Sequence, residues 1–154
     1  MSSEEETFRR LVVELRILEG TAETLQSRMN LIGAALAEFR VAKTTMEGVE
    51  KEKKDAPLFV PVGGGSFVKA KLESADKMIV GIGANVAIEK PIREAKESLE
   101  SRIGDLEQTR TSLGQQFNQV LAKIQDGRTK LEEVTAKLRE RGASRDVRET
   151  KEGP

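Results

Sequence analysis

The sequence contains no cysteine and no histidine. Disulfide bonds and thiolate metal sites are therefore excluded, and the residue that most often serves as a general base or metal ligand is missing. Aromatic residues make up only 3% of the 154 residues, whereas a compact globule of this length normally buries more large rings. These absences argue against a histidine- or cysteine-based enzyme and against a compact globular core.

Long apolar runs and a secretory leader are also lacking. No stretch of about 18 apolar residues is present to span a bilayer, and Met1 is followed by two serines and three glutamates, which is not a secretory signal. We therefore expect a cytoplasmic protein with no membrane partner. The 26 basic residues balance the 26 acidic residues, so nucleic acid, which attracts clustered positive charge, is not an expected partner either.

Two series of residues repeat in alternating steps of three and four, which is the pattern of a coiled-coil seam. The first series is Phe8, Leu11, Leu15, Leu18, Ala22, Leu25, Met29, Ile32, Leu36, Phe39, Lys43 and Met46. The second is Leu99, Ile103, Leu106, Arg110, Leu113, Phe117, Val120, Ile124, Gly127, Leu131, Val134 and Leu138. We predict one helix over 3–54, capped by Ser3, a second over 89–141, and a disordered polar tail over 142–154.

The two helices have similar lengths and are predicted to pair with each other in antiparallel orientation. Opposed seam residues then have numbers that sum to 145 or 146, as for Leu25 with Val120 and Ala22 with Ile124. The same register places three weak layers at Lys43, Arg110 and Gly127. We interpret Gly127 as a flexible point, because glycine supplies no side chain and costs about 1 kcal/mol in a helix relative to alanine.

The segment between the helices, 57–88, lacks the heptad pattern and is predicted to form two β-hairpins. The expected strands are 58–62 and 67–72 around Gly63–Ser66, then 77–82 and 86–88 around Gly83–Asn85. Four short strands cannot close a core, so their apolar residues are predicted to form an assembly surface with other chains. These residues are Val60, Val62, Phe67, Val68, Leu72, Ile79, Val80, Ile82, Val86 and Ile88.

The motifs PLFVPVGGGSFVKAKL at 57–72 and KMIVGIGANVAIEK at 77–90 resemble the two-hairpin segment of the archaeal-type prefoldin alpha subunit family. The resemblance implies an α+β fold, in which a long antiparallel coiled-coil hairpin carries two β-hairpins at its base, as one domain over 1–154. It also implies a hexamer of two alpha and four beta subunits, with the hairpins in a β-barrel platform. The partners implied are prefoldin beta subunits, non-native client proteins and a group II chaperonin, and no ATP or other cofactor is implied.

The helix ends remote from the strands are the predicted client-binding site. The residues proposed for this role are Phe8, Leu11, Val12, Val13, Leu15, Leu131, Val134 and Leu138. Each seam residue in this set has a purely structural alternative, because it can simply hold the two helices together. Val12 and Val13 lie outside the seam, and a fraying helix end would expose the set to unfolded chains.

Sequence features that suggest enzymes have simpler interpretations. Gly63-Gly64-Gly65-Ser66 is followed by Phe67 rather than by the lysine of a phosphate loop, and the fingerprint that begins at Gly81 has Val86 in place of its third glycine. No catalytic residue and no metal ligand is therefore predicted. The remaining alternatives are a coiled-coil tether that spaces folded partners, and an efflux adaptor, which would need an export signal or anchor.

Overall fold

A computed structural model describes residues 2–151 of the chain. It contains two helices, α1 (Ser3–Glu50) and α2 (Ile92–Glu149), and four strands between them, β1 (Pro57–Gly63), β2 (Ser66–Lys71), β3 (Lys77–Gly83) and β4 (Val86–Pro91). Each strand pairs only with its neighbour in sequence, in two separate antiparallel sheets of two strands. The predicted fold, two long antiparallel helices with two β-hairpins between them, is confirmed.

The N-terminus of α1 is capped by Ser2, one residue earlier than expected. The Glu5 amide donates a hydrogen bond to Ser2 Oγ at 3.3 Å, and the Ser2 amide donates one to Glu5 Oε2 at 3.4 Å. This reciprocal pair is a capping box. The three glutamates of the first turn lie where the helix dipole favours negative charge.

The helix boundaries at the hairpins differ from the prediction because backbone pairing extends farther than the apolar pattern. Helix α1 ends at Glu50 rather than 54, and Asp55 then adopts a left-handed φ of 67° and donates its amide proton to the Leu72 carbonyl at 2.7 Å. Strand β4 continues to Pro91, because Glu89 and Lys90 pair with Ile79 and Met78. Helix α2 therefore begins at Ile92 rather than 89.

The end of α2 also differs from the prediction. The helix passes through Gly142 and continues to Glu149, so the expected break at 142 is wrong, and residues 142–149 are helical rather than disordered. A single glycine costs a helix only about 1 kcal/mol, which the flanking helical residues tolerate. The last part of the predicted tail, 152–154, lies outside the described residues.

The chain forms two compact units. The first, which we call the terminal unit, contains residues 2–31 and 110–151. Its buried residues are Leu11, Leu15, Ala22, Leu25, Leu113 and Ile124, all of them predicted seam positions. Ion pairs Glu19–Arg128 at 2.9 Å and Glu4–Arg141 at 2.7 Å flank the seam, and both lie within one helical turn of the predicted register.

Gly127 is a close-packing position of the terminal unit rather than a gap. A Cβ atom built on Gly127 would lie 2.9 Å from Leu15 Cδ2, which is closer than real side chains approach. Leu15, Ala22 and Ile124 form a buried cluster, and Leu18, Phe117, Val120 and Leu131 pack against it. The layer at Gly127 is therefore filled by Leu15, and the interpretation of Gly127 as a flexible point does not match this packing.

The second unit, the hairpin unit, contains Ile32–Thr109. Its seam is buried at Leu36, Ile92, Ala95 and Leu99. The second apolar series therefore begins at Ile92, about two helical turns before the predicted Leu99. Ion pairs join α1 to α2 at Arg40–Glu107, Lys43–Glu100 and Lys96–Glu50, with distances of 2.8, 3.1 and 2.9 Å. The hydrogen bond from Lys96 Nζ to Glu50 raises the pKa of Lys96 above its ordinary value. Lys43, which was predicted to form a weak layer of the seam, therefore pairs with the carboxylate of Glu100.

The two hairpins have the same strand pairing and turn geometry, and equivalent residues are twenty apart in the sequence. Pairs such as Pro57–Lys71 and Val60–Val68 in the first recur as Lys77–Pro91 and Val80–Ile88 in the second. Both hairpins turn through two residues with positive φ, Gly64-Gly65 and Ala84-Asn85, as a type I′ turn requires. Both also carry a bulge just before the turn, where the register shifts by one residue.

The packing at Gly127 predicts a difference between two alanine substitutions. Gly20→Ala adds a methyl group into open space, so it should stabilise the chain by about 0.5–1 kcal/mol through helix propensity. Gly127→Ala makes the same propensity gain but forces Leu15 to move, so it should be less stable than Gly20→Ala by about 1 kcal/mol. Urea unfolding followed by circular dichroism at equal protein concentrations measures both. An equal gain in the two variants would contradict the close packing.

The intramolecular pairing of the helices predicts a specific disulfide. Because the chain has no cysteine, a Leu25→Cys/Val120→Cys variant contains a single pair, which should oxidise within one chain at the predicted register. The control, Leu25→Cys/Val134→Cys, separates the thiols by about 20 Å along α2 and should not close within a chain. Non-reducing electrophoresis of the denatured monomer distinguishes the two, and closure of the control instead would mean another register.

Candidate interaction surfaces

The hairpins expose a large set of apolar side chains, which we call the hairpin surface. Its members have exposed fractions between 38% and 75% and are Phe59, Val60, Val62, Phe67, Val68, Ile79, Ile82, Val86 and Ile88. Of the ten residues predicted for assembly, eight belong to this surface. The other two, Leu72 and Val80, are half-buried.

Both faces of the first sheet carry apolar side chains, which is why so much apolar surface is exposed. Successive residues of a strand point to opposite faces. One face carries Leu58, Val60, Val68, Ala70 and Leu72, and the other carries the two phenylalanines and two prolines of the hairpin beside Lys69 and Lys71. A sheet of two strands cannot cover two apolar faces. Contiguous exposed apolar surface of this kind marks a site of association.

Phe59 is a functional candidate that the sequence prediction omitted. Its side chain is 69% exposed, and its ring meets Phe67 edge to face with centroids 6.5 Å apart, a favourable aromatic geometry. The strand alternation contained the signal, because Phe59 and Phe67 are diagonal neighbours on one face of the hairpin. We add Phe59 to the predicted assembly residues.

The predicted client-binding residues lie together in the terminal unit but differ in exposure. Leu11 and Leu15 are buried in the seam at 7% each. Phe8, Val12, Leu131, Val134 and Leu138 are half-buried, and Val13 is exposed. In this structure, therefore, Leu11 and Leu15 contribute to helix pairing, and Val13, at 57% exposure, is the most accessible member of the set.

Val13 belongs to an outer stripe on α1 that the prediction only partly captured. Ile17, four residues later and therefore on the same helix face, is 64% exposed beside Val13 at 57%. Arg9, Arg10, Glu14 and Leu18 border this pair and form a shallow depression with it. We use the name outer stripe for Val13 and Ile17. An i, i+4 spacing of apolar residues outside the seam was the signal for Ile17.

A groove between α1 and α2 lies next to the outer stripe. Leu11, Leu15, Leu18 and Gly127 give it apolar walls. Its rim includes Lys130, which pairs with Asp126 at 2.8 Å, and the hydrogen bond to this carboxylate raises the pKa of Lys130. The groove therefore combines apolar walls with a charged rim.

The features that resembled enzyme motifs occupy structural positions. Gly64 and Gly65 form a hairpin turn between β1 and β2, with φ of 58° and 73°, and no helix follows them as a phosphate loop would require. Within residues 2–151, no helix is long and apolar enough to cross a membrane.

Comparison with known proteins agrees with this arrangement. The family model described as "Prefoldin subunit" matches residues 18–138. The chain is 34% identical to prefoldin subunit alpha of Methanosarcina barkeri over 139 residues, covering 88% of this chain and 94% of that one. It is 33% identical to prefoldin subunit alpha of Methanopyrus kandleri over 113 residues, covering 73% and 72%.

A solved structure is also similar. The cryo-EM structure of filamentous PFD from Methanocaldococcus jannaschii matches with a TM-score of 0.65 and 28% sequence identity, covering 77% of this chain and 95% of that one.

The hairpin surface predicts that charge at repeat-equivalent positions prevents association. Phe59→Asp and Ile79→Asp place a carboxylate where burial against another chain would cost several kcal/mol, while both sites are exposed in the single chain. Native mass spectrometry with partner subunits should find these variants unassembled and still helical. The matched control is Leu31→Asp, on α1 at 72% exposure, which should assemble normally. Normal assembly of both hairpin variants would mean that the hairpins are not the interface.

Proposed function

The chain belongs to the prefoldin family as an alpha subunit, a non-enzymatic chaperone, and on that premise we propose that it holds non-native proteins without ATP. In this proposal two copies assemble with four prefoldin beta subunits through the hairpin surface. Clients are captured at the terminal unit and then delivered to a group II chaperonin. The site of action is the cytoplasm.

The observation that carries the proposal is the outer stripe. Val13 and Ile17 are more than half exposed, although the seam of the terminal unit is already closed by Leu11, Leu15 and their partners. Helix pairing therefore gives no reason for two large aliphatic residues at these positions. An exposed apolar pair suits a surface that binds unfolded segments, whose common property is apolar side chains.

The neighbouring residues extend this apolar pair into a larger binding area. Phe8, Val12, Leu131, Val134 and Leu138 are half-buried, so a modest separation of the helices would expose them. Each such contact is weak. Several subunits on one platform would raise the effective concentration of the remaining sites for a client already bound once, so that the particle binds tightly through weak contacts.

A structural role is the second candidate, because the chain is similar to a filamentous PFD. In that case the same hairpin surface would join subunits into an extended assembly that spaces folded partners. Such a protein would bind no unfolded client. The two candidates therefore differ in one measurable property, suppression of aggregation.

The proposal predicts that polar substitution of the outer stripe weakens client holding. A Val13→Ser/Ile17→Ser variant removes the exposed aliphatic pair without touching the buried seam, so assembly and helicity should be unchanged. Suppression of aggregation by the assembled complex should fall several-fold, because apolar area is the driving force for capture. The measurement is light scattering of an unfolding model client, without nucleotide, at increasing chaperone concentration.

The matched control for this experiment is Leu31→Ser/Val41→Ser, which removes two aliphatic residues from the same helix that are exposed at 72% and 67%, slightly more than Val13 and Ile17. This variant should hold clients as well as the parent complex. If the outer-stripe variant also holds clients normally, the capture site lies elsewhere. If the parent complex itself fails to suppress aggregation, the structural role is favoured.

A further inference from the structure

Arginines surround the outer stripe. Arg9 and Arg10 lie one helical turn before Val13, and Arg16 lies one turn after it, beside Ile17 in the sequence. All three arginines are exposed, and the first two line the depression that Val13 and Ile17 form. The exposed aliphatic pair therefore has a border of three positive charges, which we call the arginine border.

The arginine border differs from the arginines at the flank of the seam. Arg128 and Arg141 each pair with a glutamate of α1. In contrast, Arg9, Arg10 and Arg16 form no ion pair within the part of the chain that the structure describes. A guanidinium group without a partner keeps its fork of N–H donors available for a ligand.

Nearby carboxylates do not neutralise this charge. Among the described residues that line the depression, Glu14 carries the one carboxylate, and its charge also acts on Lys130, whose pKa is raised mainly by the hydrogen bond to Asp126. Glu6 lies a further turn toward the N-terminus and forms no ion pair with either arginine of the depression. Three arginines, with Arg16 included, against two glutamates leave a positive balance around the outer stripe.

The other exposed aliphatic residues of α1 lack such a border. Leu31 has a single basic residue, Arg28, at a distance of one helical turn. Val41 is 67% exposed and has no basic residue at that distance, where its neighbours are Ala37, Glu38, Thr44 and Thr45. On α1, the combination of two adjacent exposed aliphatic residues with three unpaired arginines occurs at the outer stripe alone.

We propose that the outer stripe and its arginine border select client segments in which aliphatic residues are flanked by carboxylates. The aliphatic side chains of such a segment would cover Val13 and Ile17, and its carboxylates would pair with the arginine border. Arginine can bind a carboxylate through two parallel N–H donors. This inference rests on the proposed function and specifies the class of segment that is held.

The spacing of the site fits an extended chain. Val13 and Ile17 are about 6 Å apart along the helix axis, and two side chains on one face of an extended chain are about 6.6 Å apart. Two aliphatic residues separated by one residue therefore match the outer stripe. Arg9 lies about 6 Å before Val13 and Arg16 about 4.5 Å after it, so carboxylates on either side of the aliphatic pair meet an arginine.

A single-stranded nucleic acid fits the same site less well. Its phosphates would be attracted by the arginine border, but bases bind such surfaces largely by stacking on aromatic side chains. Among the described residues that line the depression, none is aromatic. The aliphatic pair favours a peptide segment instead.

Three labelled peptides of equal length test this selectivity. Each contains two leucines separated by one serine within a sequence of glycine and serine, and the residues that flank the leucines are glutamate, glutamine or lysine. Fluorescence anisotropy measures their binding to the complex assembled from this chain and prefoldin beta subunits. The glutamate peptide should bind about fivefold more tightly than the glutamine peptide, because each exposed ion pair contributes modestly. The lysine peptide should bind most weakly.

The variant that tests the arginine border is Arg9→Gln/Arg10→Gln/Arg16→Gln, which leaves Val13 and Ile17 in place. Its complex should bind the glutamate and glutamine peptides with equal affinity. In the parent complex, added salt should reduce the same preference, because exposed ion pairs are screened. Circular dichroism and native mass spectrometry verify that the variant is helical and assembled, and the salt titration of the parent needs no variant.

The matched control removes three positive charges from the hairpin unit, at exposed lysines that form no ion pair with the described residues. It is Lys51→Gln/Lys53→Gln/Lys54→Gln, and its complex should keep the fivefold preference. Loss of the preference in both variants would mean that net charge, and not the arginine border, selects the segment, and would overturn the inference.

The remaining outcomes separate this inference from the proposed function. Equal binding of the three peptides to the parent complex, or no binding of any of them, overturns the inference, and so does tighter binding of a single-stranded RNA of the same length. Client holding stands in each of these cases if the complex suppresses aggregation. A parent complex that does not suppress aggregation overturns the proposed function itself.

Discussion

Each β-sheet of the hairpin unit has two strands, and two strands cannot bury apolar side chains on both faces. In a folded domain this surface would be covered by a second layer. Here Phe59, Phe67 and Ile79 remain more than half exposed. The free energy that stabilises the hairpins must therefore come largely from contact with other chains. Membership of the prefoldin family agrees with this requirement, since its members are described as subunits.

In the helices, by contrast, most apolar seam residues are buried where the two helices pack against each other. In the terminal unit, small residues allow close approach: Gly127 receives Leu15, and Ala22 lies in a cluster with Ile124. Ion pairs at the flanks are exposed, and such pairs contribute little stability, but they select one register. Val13 and Ile17 lie four residues apart on one face of α1 and form an exposed apolar pair outside this seam. The exposed Leu31 and Val41 are ten residues apart, so the proximity of Val13 and Ile17 supports the proposed role in binding.

The two hairpins repeat one backbone pattern after twenty residues, but they carry different side chains. Turn type, bulge and ladder length are the same in both, so the fold of each hairpin follows from backbone geometry and not from particular side chains. The side chains differ, and Pro57 and Pro61 of the first hairpin correspond to Lys77 and Gly81 of the second.

The sequence by itself determined the element types, the antiparallel register of the helices and the hairpin turns, because heptad spacing, strand alternation and glycine turns act over short distances. It also contained the family resemblance at 57–72 and 77–90. It did not determine where α1 ends or where α2 begins, because backbone pairing at Leu72 and Ile92 decides these boundaries. It also did not show that Ile92 and Ala95 extend the seam, or that α2 continues through Gly142, whose cost of about 1 kcal/mol the helix tolerates.

Only the tertiary structure decided which apolar residues are consumed by packing and which remain accessible. The predicted client-binding set combined Leu11 and Leu15 with Val13, yet two are buried and one is exposed, since burial depends on the facing helix. Likewise, the sequence lists three prolines in the two hairpins, but the paired strands alone show that all three point to an outer edge. The direction in which the backbone groups of a strand residue point depends on its pairing with the neighbouring strand, and the sequence alone does not give that direction.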